Sequence, residues 1–223
     1  MDGRGGLLPP LQLSPEIVEC RSTGACNYSS RVELAGELIY MSTRDEINAR
    51  IEEGRLFRLK PLNEKDIKRR TVLMSQEINQ LVTGAWLDGP MGARCARLRG
   101  DLENLITAED ITVCWEPFKG RTEQIGRLAP VQDEVWDLRS QEKPGLRVFF
   151  RFAEKDVFVA LTCAPRSVSV SWLSRLPLLD RHSREWREAI VECRTQWRQL
   201  SPAHRPITGS SADEYLTGAA ILH

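Results

Sequence analysis

No run of roughly 18 uncharged apolar residues occurs in the chain, so no membrane-spanning helix and no membrane partner are expected. The opening stretch, Met1 to Pro10, holds glycines and a proline pair where a secretory signal would have a basic, then apolar, then small-residue succession; a cytoplasmic location is expected. Histidine is scarce, with only His182, His204 and His223, and the six cysteines, Cys20, Cys26, Cys95, Cys114, Cys163 and Cys193, include no C-x-x-C pair. Zinc-ligand spacings are therefore missing, and neither a metal nor a cofactor is expected. The cysteines read as reduced, mostly buried thiols; Cys20 and Cys26 would bridge only in an oxidising compartment. Net charge is missing too, with 31 Lys and Arg against 31 Asp and Glu.

What is present is enough apolar material for a core, 41% of 223 residues, which excludes disorder throughout. The neutral total hides an asymmetry. Val135 to Thr208 carries 13 Lys and Arg against 8 Asp and Glu, whereas Met1 to Glu134 carries 18 against 21. The basic side chains are nearly all arginines, whose planar fork suits phosphate as well as carboxylate. Such a segment is compatible with nucleic acid and equally with a solvated, salt-bridged surface.

The first thirty residues, with Pro9, Pro10, Pro15 and Gly24, read as an irregular arm. Leu34, Leu38, Ile39 and Met41, then Ile47 and Ile51, recur at helical spacing; Ser42 to Glu46 resembles a cap, which predicts two short helices, the second closed by Gly54. A short strand is expected in Arg55 to Leu62, then a helix from Glu64 to about Thr83 and another from Met91 to Ile106. The texture then turns to strands: Ile111 to Trp115, Glu134 to Arg139, Leu146 to Phe152 and Val157 to Cys163. The short breaks among the last three predict an antiparallel meander, with Trp136 and Phe149 in the core. Ser183 to about Leu200 is an amphipathic helix stopped by Ser201-Pro202.

Within this order, Trp136-Asp137-Leu138-Arg139, Pro144-Gly145-Leu146-Arg147 and Val148-Phe149-Phe150, followed by a hairpin and an apolar strand, resemble the sheet core of the RelE, ParE and HigB superfamily of small toxins. The family pattern is a W-E-L-R strand, a turn ending in P-G-x-R, an aromatic strand, a hairpin and an apolar strand. The resemblance implies an α+β fold: an antiparallel sheet, an αα-hairpin before it and a C-terminal helix packed on it. It would occupy residues 55–208, leaving 1–54 as an N-terminal extension and 209–223 as a C-terminal tail.

By the same resemblance the protein is a toxin of a toxin–antitoxin pair. Its partners would be RNA or the ribosome and a cognate antitoxin, and it would cleave messenger RNA without metal by attack of a ribose 2′-OH on the adjacent phosphate. Such a step needs cations against the charge that builds on phosphorus and a group that moves protons. Arg147 and Arg166 match the family's phosphate-facing positions, and Tyr215, beside Asp213 and Glu214, is the counterpart of the acid and tyrosine groups of HigB-like members; these three are the implied catalytic residues. Arg139, Arg151 and Trp172 are the implied RNA contacts, Trp172 standing where the family often has a tyrosine. Val135 and Asp137 occupy the places of two RelE lysines, which leaves open the alternative of a non-catalytic, ParE-like inhibitor of a protein target. Arg139 is as well placed to pair with Asp137 as to touch RNA, and strand arginines can equally sit on a solvated sheet face.

Overall fold

The computed structural model describes residues 30–34, 37–84, 90–117, 119, 122–139, 146–165, 184–201 and 204–221. Ten strands and four α-helices lie within them. Strands β1 (Ser30–Leu34) and β2 (Glu37–Met41) pair antiparallel, where helical spacing had predicted a helix. Helix α1 (Thr43–Glu52) follows, and its start is the capping box the sequence suggested: Asp45 donates its backbone N–H to the Ser42 hydroxyl and returns its carboxylate. Hydrogen bonds from Ser42 hold the Asp45 carboxyl below its ordinary range. Gly54, at φ +70°, closes the helix in the left-handed region.

The main sheet has eight strands: β3 (Phe57–Arg58), β4 (Thr71–Met74), β5 (Ile111–Cys114), β6 (Ile125–Arg127), β7 (Trp136–Arg139), β8 (Leu146–Glu154), β9 (Val157–Pro165) and β10 (Ala219–Ile221). Their spatial order is β10-β5-β6-β7-β8-β9-β4-β3. The expected meander is present as β7, β8 and β9, all antiparallel. The sheet as a whole is mixed, however, because β4 joins β9, β5 joins β6, and β10 joins β5 in parallel. The fold is thus mixed α+β, and the expectation of a purely antiparallel sheet is corrected.

The predicted helix Glu64–Thr83 is corrected as well. Thr71 to Met74 is strand β4, and helix α2 runs only over Gln76–Thr83. Ser75 separates them: its hydroxyl accepts from the Ile78 N–H and donates to the Leu161 carbonyl at 2.7 Å, so it caps α2 and ties it to β9. Helix α3 (Pro90–Thr107) and helix α4 (Arg184–Leu200) lie within a residue or two of expectation.

Helices cover both faces of the sheet. On one, Val72, Met74, Trp136, Leu138, Val148, Phe150 and Phe152 pack against Ile78 of α2 and Leu98, Leu102 and Leu105 of α3. On the other, Leu73, Phe149, Val159 and Leu161 meet Ile190, Cys193 and Trp197 of α4, with Ile47 and Ile51 of α1 at the margin. Two-sided burial explains why Val157 to Cys163 is almost wholly apolar instead of alternating.

Both ends of the described chain take part. Residues 209–221, set apart as a tail by the sequence reading, supply buried Ala212, Tyr215 and Leu216 and the edge strand β10. The buried Arg70 guanidinium donates to the carbonyls of Ala108 at 2.7 Å and Glu109 at 3.0 Å, beyond the C-terminus of α3, and to Thr217. Helix α1 docks on α4 through Arg50, which donates to the Leu200 carbonyl at 2.6 Å, and through Glu46, which accepts from Ser201 at 2.8 Å and lies 3.4 Å from His204.

Candidate functional site

In the register of β7 and β8, Arg139 stands opposite Arg147 and Asp137 opposite Phe149, and all four face α4. Two cations facing each other across strands would repel without an anion between them. Asp137, with no exposed surface, supplies it. Its carboxylate accepts from Arg139 Nε at 3.1 Å and from Arg147 Nη1, while Arg139 Nη1 lies 3.5 Å from Glu123.

Burial is the largest single influence and pulls the Arg139 guanidinium toward losing its proton, but Asp137 and Cys114 together outweigh it and the pKa ends above the ordinary value. Gly126, opposite Asp137 on β6, makes room: a methyl group there would overlap the Arg139 guanidinium.

Helix α4 lays two indoles on this charged strip. The Arg147 guanidinium stacks 4.9 Å from the Trp186 ring centre, and that of Arg151 lies 5.5 Å from Trp197. Arg151 is buried and donates to the Asp133 and Glu134 carbonyls; burial lowers its pKa. The three implied RNA or phosphate contacts on these strands, Arg139, Arg147 and Arg151, therefore spend their donors inside the fold. Arg166 and Trp172 lie outside the described residues.

Tyr215 is on the opposite face of the sheet, packed among Trp115, Trp136 and Phe152. Its hydroxyl donates to Glu134 Oε2 at 2.7 Å and accepts from the Gly209 N–H at 2.6 Å. Arg127, stacked 4.6 Å from the Trp115 ring centre, completes the group by donating to Glu134 Oε1 at 2.5 Å. Burial, reinforced by the Glu134 carboxylate, pushes the Tyr215 phenol well above its ordinary range, so it is a poor base at neutral pH. The structure thus brings Arg139, Arg147 and Arg151 onto one face and places Tyr215 on the other.

Sequence reasoning missed Glu123, Gly126, Arg127, Glu134 and the stacking roles of Trp186 and Trp197. Asp137 was legible: a carboxylate amid apolar strand residues needs a cation, and Arg139 is two residues away. Chemically the two groups are compensated ion-pair clusters, and among the described residues no three His, Cys, Asp or Glu side chains form a metal-binding set. Nor, among those residues, is any helix long and apolar enough to cross a membrane. The fold defines a mixed α+β protein with a buried, arginine-rich strip. Comparison with protein-family models, with curated proteins and with solved structures finds no match to this chain.

Proposed function

We propose that the chain acts by binding and not by cleaving RNA: the ParE-like reading of the toxin–antitoxin resemblance, with a protein target and a cognate antitoxin, in the cytoplasm. The observation that carries it is the pairing of Asp137 with both Arg139 and Arg147. A nuclease needs cations free to meet a phosphorane and a group able to exchange protons. Here Arg147 would have to leave a carboxylate without solvent exposure, and Tyr215 would have to leave Glu134. The antiparallel meander of β7, β8 and β9, followed in the chain by α4, supports the resemblance without requiring its chemistry.

The test is inducible expression in a bacterial host, scoring growth and transcript integrity for wild type and Arg147→Ala. The binding reading expects growth arrest with intact transcripts. Transcript cleavage that Arg147→Ala relieves, with an unchanged thermal midpoint, would restore the messenger-RNA endonuclease reading. No arrest, even with the antitoxin absent, removes the toxin reading altogether.

A further inference from the structure

The two most exposed large apolar side chains among the described residues are Leu62, at 73%, and Ile67, at 70%, and they flank one turn. That turn, 63–66, is closed by the Asp66 N–H donating to the Asn63 carbonyl at 3.1 Å and by the Asn63 amide donating to the Asp66 carboxylate at 2.9 Å. Both arms are pinned to α3. Arg99 donates to the Lys60 carbonyl at 2.5 Å, Leu62 donates its N–H to Glu103 at 2.8 Å, and Arg69 donates its N–H to the Ile106 carbonyl at 2.9 Å. A loose loop could fold its aliphatic groups inward; this one is held with them outward.

The arms carry only positive charge, Arg58 and Lys60 before the turn and Lys68, Arg69 and Arg70 after it, while the turn itself holds Glu64, Lys65 and Asp66. Arg58, Lys60, Lys65 and Lys68 are exposed, and none has an ion-pair partner among the described residues, whereas Arg139, Arg147, Arg127 and Arg99 are all paired. The chain strongly prefers arginine, with only six lysines, yet three of those six fall between Lys60 and Lys68. A guanidinium fork suits a fixed carboxylate, while an ammonium on a flexible stem suits a diffuse negative field and can keep its charge in water as its stem follows apolar groups downward. No aromatic residue lies between Arg58 and Arg70 to stack on a base, which disfavours single-stranded nucleic acid.

From this geometry we propose that the turn 63–66 and its arms dock on an anionic lipid surface, with Leu62 and Ile67 entering the headgroup boundary and the lysines contacting lipid phosphate and carboxylate groups. Such a contact is peripheral and needs no spanning helix. It goes beyond the binding reading above and does not depend on it.

The experiment is cosedimentation of the full chain with vesicles of phosphatidylcholine alone and of phosphatidylcholine with phosphatidylserine. Binding is expected only with phosphatidylserine, weakening as salt rises. The triple change Lys60→Gln, Lys65→Gln, Lys68→Gln should weaken it about 100-fold. The pair Leu62→Ser, Ile67→Ser should weaken it about tenfold or more. Both variants should keep the wild-type thermal midpoint, since these side chains are exposed. No phosphatidylserine-dependent binding, unchanged affinity in either variant, or retention on polyuridylate without affinity for vesicles would each overturn the proposal.

Discussion

Asp137 and Arg139 stand two residues apart on one strand and meet at 3.1 Å, the carboxylate without exposed surface and the guanidinium nearly so. Residues two apart on a strand share a face, so the pair is set by the backbone pleat, and Arg147 joins from the neighbouring strand. The result is a charged strip inside a sheet whose adjacent positions are aromatic.

Removing the shared anion should cost more than removing either cation. Asp137→Ala leaves the buried Arg139 and half-buried Arg147 guanidinium groups facing each other without their shared anion, and a loss of about 3–5 kcal/mol in unfolding free energy is expected from denaturant titration. Arg147→Ala leaves Asp137 paired with Arg139 and should cost clearly less. Equal costs would mean that Arg139 alone does not hold the Asp137 carboxylate in the fold.

Gly218 has φ +72°, and a methyl group there would overlap the Glu109 carbonyl and approach the Arg70 guanidinium at 3.2 Å. Gly218→Ala combines left-handed strain with displacement of the Arg70 anchor, and a loss of about 1–3 kcal/mol is expected. Gly100→Ala, where nothing lies within 4 Å, is the control and should be neutral or slightly stabilising.

The legible parts of the fold were those with one signal. The strands Ile111 to Cys114 and Val157 to Pro165 and the helices α3 and α4 announced themselves by β-branched runs or by apolar periodicity. Thr71 to Met74 did not, because Ile67, Val72, Ile78 and Leu81 imitate a helical stripe; the contrary signal was the cap at Ser75. Parallel pairing of β4 with β9 and of β10 with β5 depends on long-range register, for which a local pattern carries no mark. At the site, arginines were legible as arginines, but their partners were legible only where sequence neighbours, as at Asp137. Glu134 and Tyr215, 81 residues apart, had no such mark.

Tyr215→Phe removes the donor to Glu134 and the acceptor of the Gly209 N–H, and about 1–3 kcal/mol of stability should be lost. The wild type should also show an alkaline signature. Burial first, then Glu134, raises the folded-state pKa above the unfolded value near 10, so the native state holds the proton more tightly. That contribution is fully present below the unfolded pKa and is lost as pH rises through the folded one. Tyr215→Phe should flatten this alkaline decline in the thermal midpoint.

Burial pushes both the Cys163 and the Cys193 thiols up to about 12, with Glu77 adding to the effect at Cys163. Since the thiolate is the nucleophile, iodoacetamide at neutral pH should label neither in the folded protein and both in urea, read by peptide mass spectrometry. Prompt labelling of native Cys193 would mean that α4 separates from the sheet.

Truncation tests whether the ends belong to the folding unit. Removing residues 1–54 takes away Ile47 and Ile51, which pack on Leu200's neighbourhood, and strips Glu46 from Ser201 and His204. It also frees the Leu200 carbonyl from Arg50 at the end of α4. Removing residues 209–223 deletes the buried Ala212, Tyr215 and Leu216, the β10 edge and the hydroxyl that donates to Glu134. The second loss is the larger, because Tyr215 is fully buried against Trp115, Trp136 and Phe152, and deleting one such aromatic side chain alone costs about 3–5 kcal/mol. A domain has only about 5–15 kcal/mol to lose. The chain ending at Thr208 is therefore expected to lack a cooperative melt, and the chain starting at Arg55 to melt cooperatively but at a lower temperature. A wild-type melt after the C-terminal cut would show that the Tyr215 cluster contributes no stability to the sheet.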